Sequence, residues 1–156
     1  MTTDRTLEGW VKKSHRLRGI SQNHLLPYNF QSLGKLDCIL NDEWKAMKHR
    51  LTEQENIIKF DHHSFQSSLW VMAAYELMRI LKTIDARPES KEVYKLFRRV
   101  RIPLVKFEAA EGHSHDFGIA YGAIGQETED LGWAIGPKMF VTRNELADAL
   151  YNLYGA

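Results

Sequence analysis

The chain has 156 residues, 44% of them apolar and 26% charged, which is the profile of an ordinary globular domain with enough length for one core. A net charge of +1 leaves no global field to draw it onto nucleic acid or acidic lipid, and the single cysteine, Cys38, excludes an internal disulfide and a cysteine-rich zinc site. The N-terminus has no apolar core of signal-peptide type, and Glu76, Arg79 and Lys82 interrupt the apolar stretch 64–84, so a cytoplasmic protein without a membrane span is expected.

Residues 1–156 read as a single domain in which 1–33 form a polar N-terminal segment packed on the body. This segment carries the basic run Lys12, Lys13, His15, Arg16, Arg18, and Trp10, Leu25, Leu26 and Phe30 are its expected anchors. Pro27 and Gly34 bracket a loop, after which Leu36, Ile39, Leu40, Trp44, Met47 and Leu51 predict a helix over about 34–57. A break at Asp61-His62-His63-Ser64 precedes a second helix, about 64–86, capped by Asp61 or Ser64 and ended by Arg87-Pro88. Residues 62–75 contain no Lys, Arg, Asp or Glu. A helix apolar on most sides is expected to be the covered central element, with its main stripe at Ala73, Leu77, Ile80, Leu81 and Ile84. A third helix, about 89–101, carries Val93, Leu96, Phe97 and Val100, and Pro103 bends or stops it before a further helical turn at 104–110.

The pattern then changes to a period of two, with Phe117, Ile119, Tyr121 and Ala123 alternating with Gly118, Ala120 and Gly122. Leu131, Trp133 and Ile135 resume it beyond a polar connection at 126–130, and Met139–Val141 continue it after Gly136-Pro137. Thr142-Arg-Asn-Glu145 is a capping box opening a final helix with Leu146, Ala149, Leu150 and Leu153 on its buried side. The predicted fold is mainly α: a helical bundle around a central buried helix, with a small antiparallel β-hairpin of two or three strands and a C-terminal helix.

Several groups could carry chemistry. Glu76 and Arg79, one turn apart among Phe65, Leu69 and Met72, are expected to be a partly buried pair, with Arg98 or Arg101 as further partners; a polar site in the helical body is the other reading. His113, His115 and Asp116, with His62 and His63 if the two clusters meet, are the candidate ligands of a divalent metal. His115-Asp116-Phe117-Gly118 resembles the His-Asp dyad of HD-domain metal-dependent phosphohydrolases, which implies phosphoester hydrolysis at that loop. In that family the dyad lies on helices, whereas here it follows a glycine loop and leads into a predicted strand. Arg98, Arg99, Arg101 and Lys106 interleave with apolar residues, so they either contact RNA phosphates or line the solvated side of a helix.

The string Trp70-Val-Met-Ala-Ala-Tyr75-Glu76-Leu-Met-Arg79, within residues 64–87, resembles bacterial HEPN-like helical domains, many of them RNases or toxin partners. That resemblance implies an arginine followed by four to six residues and a histidine; the only match is Arg18 to His24, ahead of the helical body. Gly118, Ala120 and Gly122 bare one side of the first strand, to admit a packed helix, in a spacing that fits neither a dinucleotide fingerprint nor a phosphate-binding loop. Cys38, on a helix with no adjacent histidine, reads as an inert buried thiol.

A surplus of large apolar residues, Val71, Tyr75, Met78, Trp10, Trp44 and Trp133, exceeds what a small domain is expected to cover. The first functional expectation is therefore a non-catalytic regulatory or protein-interaction domain that self-associates, as a homodimer or with a protein partner. The alternatives are a HEPN-like RNase or RNA-binding domain using Arg18 and His24, and a metal-dependent phosphohydrolase using the His113/His115/Asp116 loop.

Overall fold

The computed structural model describes residues 4–52 and 54–155. Among the described residues are five helices and a three-stranded antiparallel sheet of order β1-β2-β3. The helices are α1 (Leu7–Leu17), α2 (Leu25–Met47), α3 (Gln54–Ile84), α4 (Pro88–Val105) and α5 (Arg143–Leu153), with β1 (Tyr121–Ile124), β2 (Leu131–Gly136) and β3 (Met139–Thr142) between α4 and α5. Both α4 and α5 pack on the sheet. The mainly α class with a minor sheet is as the sequence predicts.

The described N-terminal segment is largely helical and packs on the body. Thr6 caps α1 by accepting from the Gly9 amide, and Trp10 and Leu17 on that helix enter the core. Trp10 sits between Phe30 and Tyr151, each with its ring centroid 5.0 Å away. A Cβ on Gly34 would lie 2.2 Å from Trp10 Cγ, so the glycine lets the indole rest against the α2 backbone and does not mark a loop. Pro27 lies in the first turn of α2, where a missing amide costs nothing, so the helix begins at Leu25. Of the expected anchors, Trp10, Leu26 and Phe30 are buried and Leu25 is exposed.

The break between the second and third helices falls at a short 3₁₀ turn, Lys48–Arg50, and not at Asp61–Ser64. Neither glycine nor proline interrupts 54–64, and Phe60 and His63 both pack on Trp44, with centroids 6.1 and 5.5 Å away. Those contacts hold the segment helical. Pro103 does not end α4, which runs two residues further to Val105 and is capped by the Lys106 amide donating to Ile102. The alternation from Phe117 yields a strand only from Tyr121, where cross-strand pairing with β2 starts at Ala134; residues 117–120 are loop. A Cβ on Gly122 would lie 3.5 Å from Ser64 Oγ, but Gly118 and Gly122 are exposed and only Ala120 of the bare side is buried, so no helix covers that side as expected.

The capping box forms as predicted, with Thr142 Oγ1 accepting from the Glu145 amide and Glu145 accepting from the Thr142 amide. Trp10, Trp44, Trp133, Val71, Tyr75 and Met78 are all buried. The predicted apolar surplus is thus the core itself. None of these six residues is available for an interface. Among the described residues, no helix is long and apolar enough to cross a membrane.

Candidate functional site

α3 has two apolar sides. Trp70, Val71, Ala74, Leu77, Met78 and Leu81 are less than 5% exposed and form the side that meets the core. An α-helix turns about 100° per residue. On that geometry Ile58, Phe65, Leu69, Ala73, Ile80 and Ile84 share a different sector, about 100° wide and about 40 Å long. Here Phe65 is 62% exposed, Leu69 45%, Ile80 39% and Ile84 40%. The expected wrapping of 65–84 therefore holds for one side of the helix only, and Ala73, Ile80 and Ile84 belong to the open side. Because residues 62–75 carry no Lys, Arg, Asp or Glu, the open sector runs for several turns without a charge that would make water a good neighbour.

α2 lies alongside and extends this surface. Leu25, Asn29, Ser32, Leu36 and Ile39 share one sector of α2, with Leu25 65% and Ile39 45% exposed. Between the helices runs a groove of about 450 Å³ whose walls include Asn29, Ser32 and Leu36 from α2 and Ala73, Glu76 and Ile80 from α3. Its floor is anchored by Trp70 Nε1 donating to the Leu33 carbonyl at 2.9 Å.

Glu76 and Arg79 lie on this face, not in the core. They pair at 2.8 Å as the spacing predicts, but their side chains are 51% and 57% exposed, because the buried side of α3 is the Trp70–Leu81 side. Neither Arg98 nor Arg101 joins them: Arg98 pairs with Glu111 at 3.2 Å, and Arg101 lies over the Tyr75 ring, 5.0 Å from its centroid. Arg99 is bound by both oxygens of Asp116 at 2.7 and 2.8 Å, and Lys106 is exposed at the end of α4. Acids on the 106–120 loop thus take up two of the three arginines offered as phosphate contacts.

The same Arg99 fork occupies Asp116, the carboxylate of the His113/His115/Asp116 loop, and holds it below the usual carboxylate range. His62 is exposed and lines a second groove with Glu43, Met47 and Ile58, whereas His63 is buried beneath Trp44. Among the described residues no three His, Cys, Asp or Glu side chains are grouped as a metal site requires, so the two histidine clusters do not combine into one. Arg18, the C-cap of α1, and His24, the N-cap of α2, line one open depression of about 570 Å³ with Ser21, Asn23 and Pro27.

The chain also contains a buried polar cluster that matches no sequence motif. Asp37, completely buried, accepts from Arg5 Nε at 2.8 Å, Arg5 Nη2 at 3.1 Å and Arg143 Nη1 at 2.5 Å. Asn144 and Asp148 take further Arg5 donors, and Asn41 takes one from Arg143. One signal for it exists in the sequence: Asp37 sits four residues after Leu33 and three before Leu40, at a core position of its helix, where a carboxylate requires buried cations. Cys38, next to it, is half-buried, and burial pushes its thiol up, away from the reactive thiolate.

His63 makes a testable contribution to stability. Its Nδ1 lies 3.4 Å from Glu43, its ring stacks on Trp44, and Arg143, Asp130 and Asn144 share its small polar pocket. Burial, reinforced by Arg143 and His62, lowers its pKa below the ordinary 6.5 against the opposing pull of Glu43. The unfolded chain then takes up a proton that the folded chain resists, so stability falls as pH drops below about 6.5. Urea midpoints measured between pH 7.5 and 5 are predicted to decline, and His63→Gln to flatten the decline; an unchanged slope in the variant counts against this assignment.

Comparison with protein-family models, with curated proteins and with solved structures finds no match.

Proposed function

We propose that this protein is a non-catalytic protein-interaction domain that self-associates through the open face of α2 and α3. One observation supports the reading above the others: Phe65, Leu69 and Ala73 present a charge-free, exposed apolar stripe on the longest helix of the fold, which Ile80 continues beyond Glu76. Apolar patches that are contiguous, as this one is, characteristically serve as interfaces. The side chains that suggest self-association are therefore different from those first suspected, all of which lie in the core. The test is the mass in solution by light scattering, expected near twice 18.1 kDa at micromolar concentration. A mass of one chain at every concentration rejects the proposal.

A second reading, RNA cleavage, draws on the shared depression of Arg18 and His24. A cation and an imidazole facing one cleft are suited to holding a phosphate and moving a proton. Mixed RNA incubated with the wild type, Arg18→Ala and His24→Ala decides it. Cleavage lost in both variants favours this reading, and absent or equal cleavage removes it.

A further inference from the structure

The geometry points to a specific mode of pairing, which rests on the self-association reading and adds its direction and register. We infer that two copies of this chain dock α3 against α3 in antiparallel orientation, with the two-fold axis level with Val71.

A two-fold interface sets each residue against the residue equally far beyond the axis. Around position 71 six residues of the open sector of α3 pair with one another in this sense. Ile58 falls opposite Ile84 of the partner, His62 opposite Ile80, and Leu69 opposite Ala73. The pairing sets the large Leu69 against the small Ala73 near the axis, where the helices approach most closely, at about 8–10 Å between axes. Phe65, the most exposed of the central residues, falls between the levels of Glu76 and Ile80 of the partner and fills the gap between them.

Charge selects the same direction. Asp61 and Arg79 lie on the same flank of α3, eighteen residues and five turns apart. Antiparallel docking brings Asp61 to the turn of the partner that bears Arg79 and Lys82. Parallel docking turns the opposite flank of the partner toward Asp61 and keeps Asp61 and Arg79 of the two copies about 27 Å apart along the axis, so neither gains the other as a partner. Arg79 then lies between its own Glu76, 2.8 Å away, and the incoming Asp61.

α2 follows without further adjustment. Leu36 and Ala73 line the same groove, so Leu36 and Ile39 sit level with the axis and meet their counterparts across it. The result is a layer of four helices, α2 and α3 from each copy, closed by the groove residues.

Spin labels on single cysteines in a Cys38→Ser background test both direction and register. A rise of about 1.5 Å per residue sets the separation along the axis. Label pairs at Ser68→Cys are expected within about 20 Å of each other, three positions from the axis and across two helices. Lys59→Cys and Thr83→Cys, each twelve positions away on opposite sides, are expected to give equal distances near 36 Å, on the order of twice 12 residues of rise. Short distances at all three sites mean a parallel pair and overturn the inference. Unequal long distances at Lys59 and Thr83 move the axis away from Val71 and overturn the register. Both outcomes leave self-association standing, whereas a wild-type monomer overturns the two together. Lys59 and Thr83 lie toward the ends of the stripe, so they decide the direction even if a label at Ser68 disturbs the pair.

Discussion

Asp37→Ala is expected to remove roughly 3–5 kcal/mol of stability, the usual cost of leaving a buried charge without its partner. Asp37 is wholly enclosed, and the two guanidiniums bound to it, Arg5 and Arg143, are themselves buried. They arrive from opposite ends of the chain: Arg5 precedes α1, Asp37 lies in α2, and Arg143 opens α5. Removing the carboxylate leaves two cations sharing the acceptors of Asp148, Asn144 and Asn41, with no full charge at the centre. The N-terminal and C-terminal helices should loosen together, because one anion holds both. Urea unfolding followed by circular dichroism checks this, and a loss below about 1 kcal/mol contradicts the role assigned to Asp37. Glu92→Gln is the control. Both it and its partner Lys95 are exposed on α4, so that substitution should leave the unfolding midpoint almost unmoved.

If the chain self-associates as proposed, Leu69→Glu is expected to leave it a monomer with the fold intact. The substituted residue is 45% exposed in a single copy, so the carboxylate remains hydrated there. In the pair it would be driven against the apolar centre of a second copy, where an unpaired charge is strongly disfavoured. A loss of at least a hundredfold in association is expected, the equivalent of about 2.7 kcal/mol. The helical circular dichroism signal and unfolding cooperativity of the isolated chain should be retained. Ile124→Glu, on β1 and likewise exposed, lies off the face and should still form dimers. If both variants dimerise like the wild type, the α2–α3 face is not the interface.

The helical class was legible because periodicity is a local property. The Thr142–Glu145 capping box, the Leu146 and Leu150 positions of α5 and the tryptophan-bearing stretch of α3 all follow from spacing alone. What spacing could not supply was which side of α3 is covered. Apolar residues surround that helix, and the choice between its Trp70–Leu81 side and its Phe65–Ile80 side depends on where α1, α2 and α4 come to rest. The same ambiguity placed Glu76 and Arg79 in the interior and assigned Val71, Tyr75 and Met78 to a surface. Helix boundaries were misplaced where tertiary contacts decided them: Trp10 against Gly34, Phe60 and His63 against Trp44. The Arg5–Asp37–Arg143 cluster stayed hidden because its members are far apart in the chain and match no motif. Arg18 and His24 line one depression at the turn between α1 and α2, a placement that their short separation made accessible.

The claim on which the functional account turns is that the Phe65–Leu69–Ala73–Ile80 stripe is covered by a second copy of the chain. Sedimentation equilibrium of the wild type and Leu69→Glu, across concentrations from submicromolar to near-millimolar, measures this most directly. A concentration-dependent rise from 18.1 kDa toward twice that value is expected for the wild type and none for the variant. A wild-type protein that stays at the mass of one chain throughout would contradict that claim.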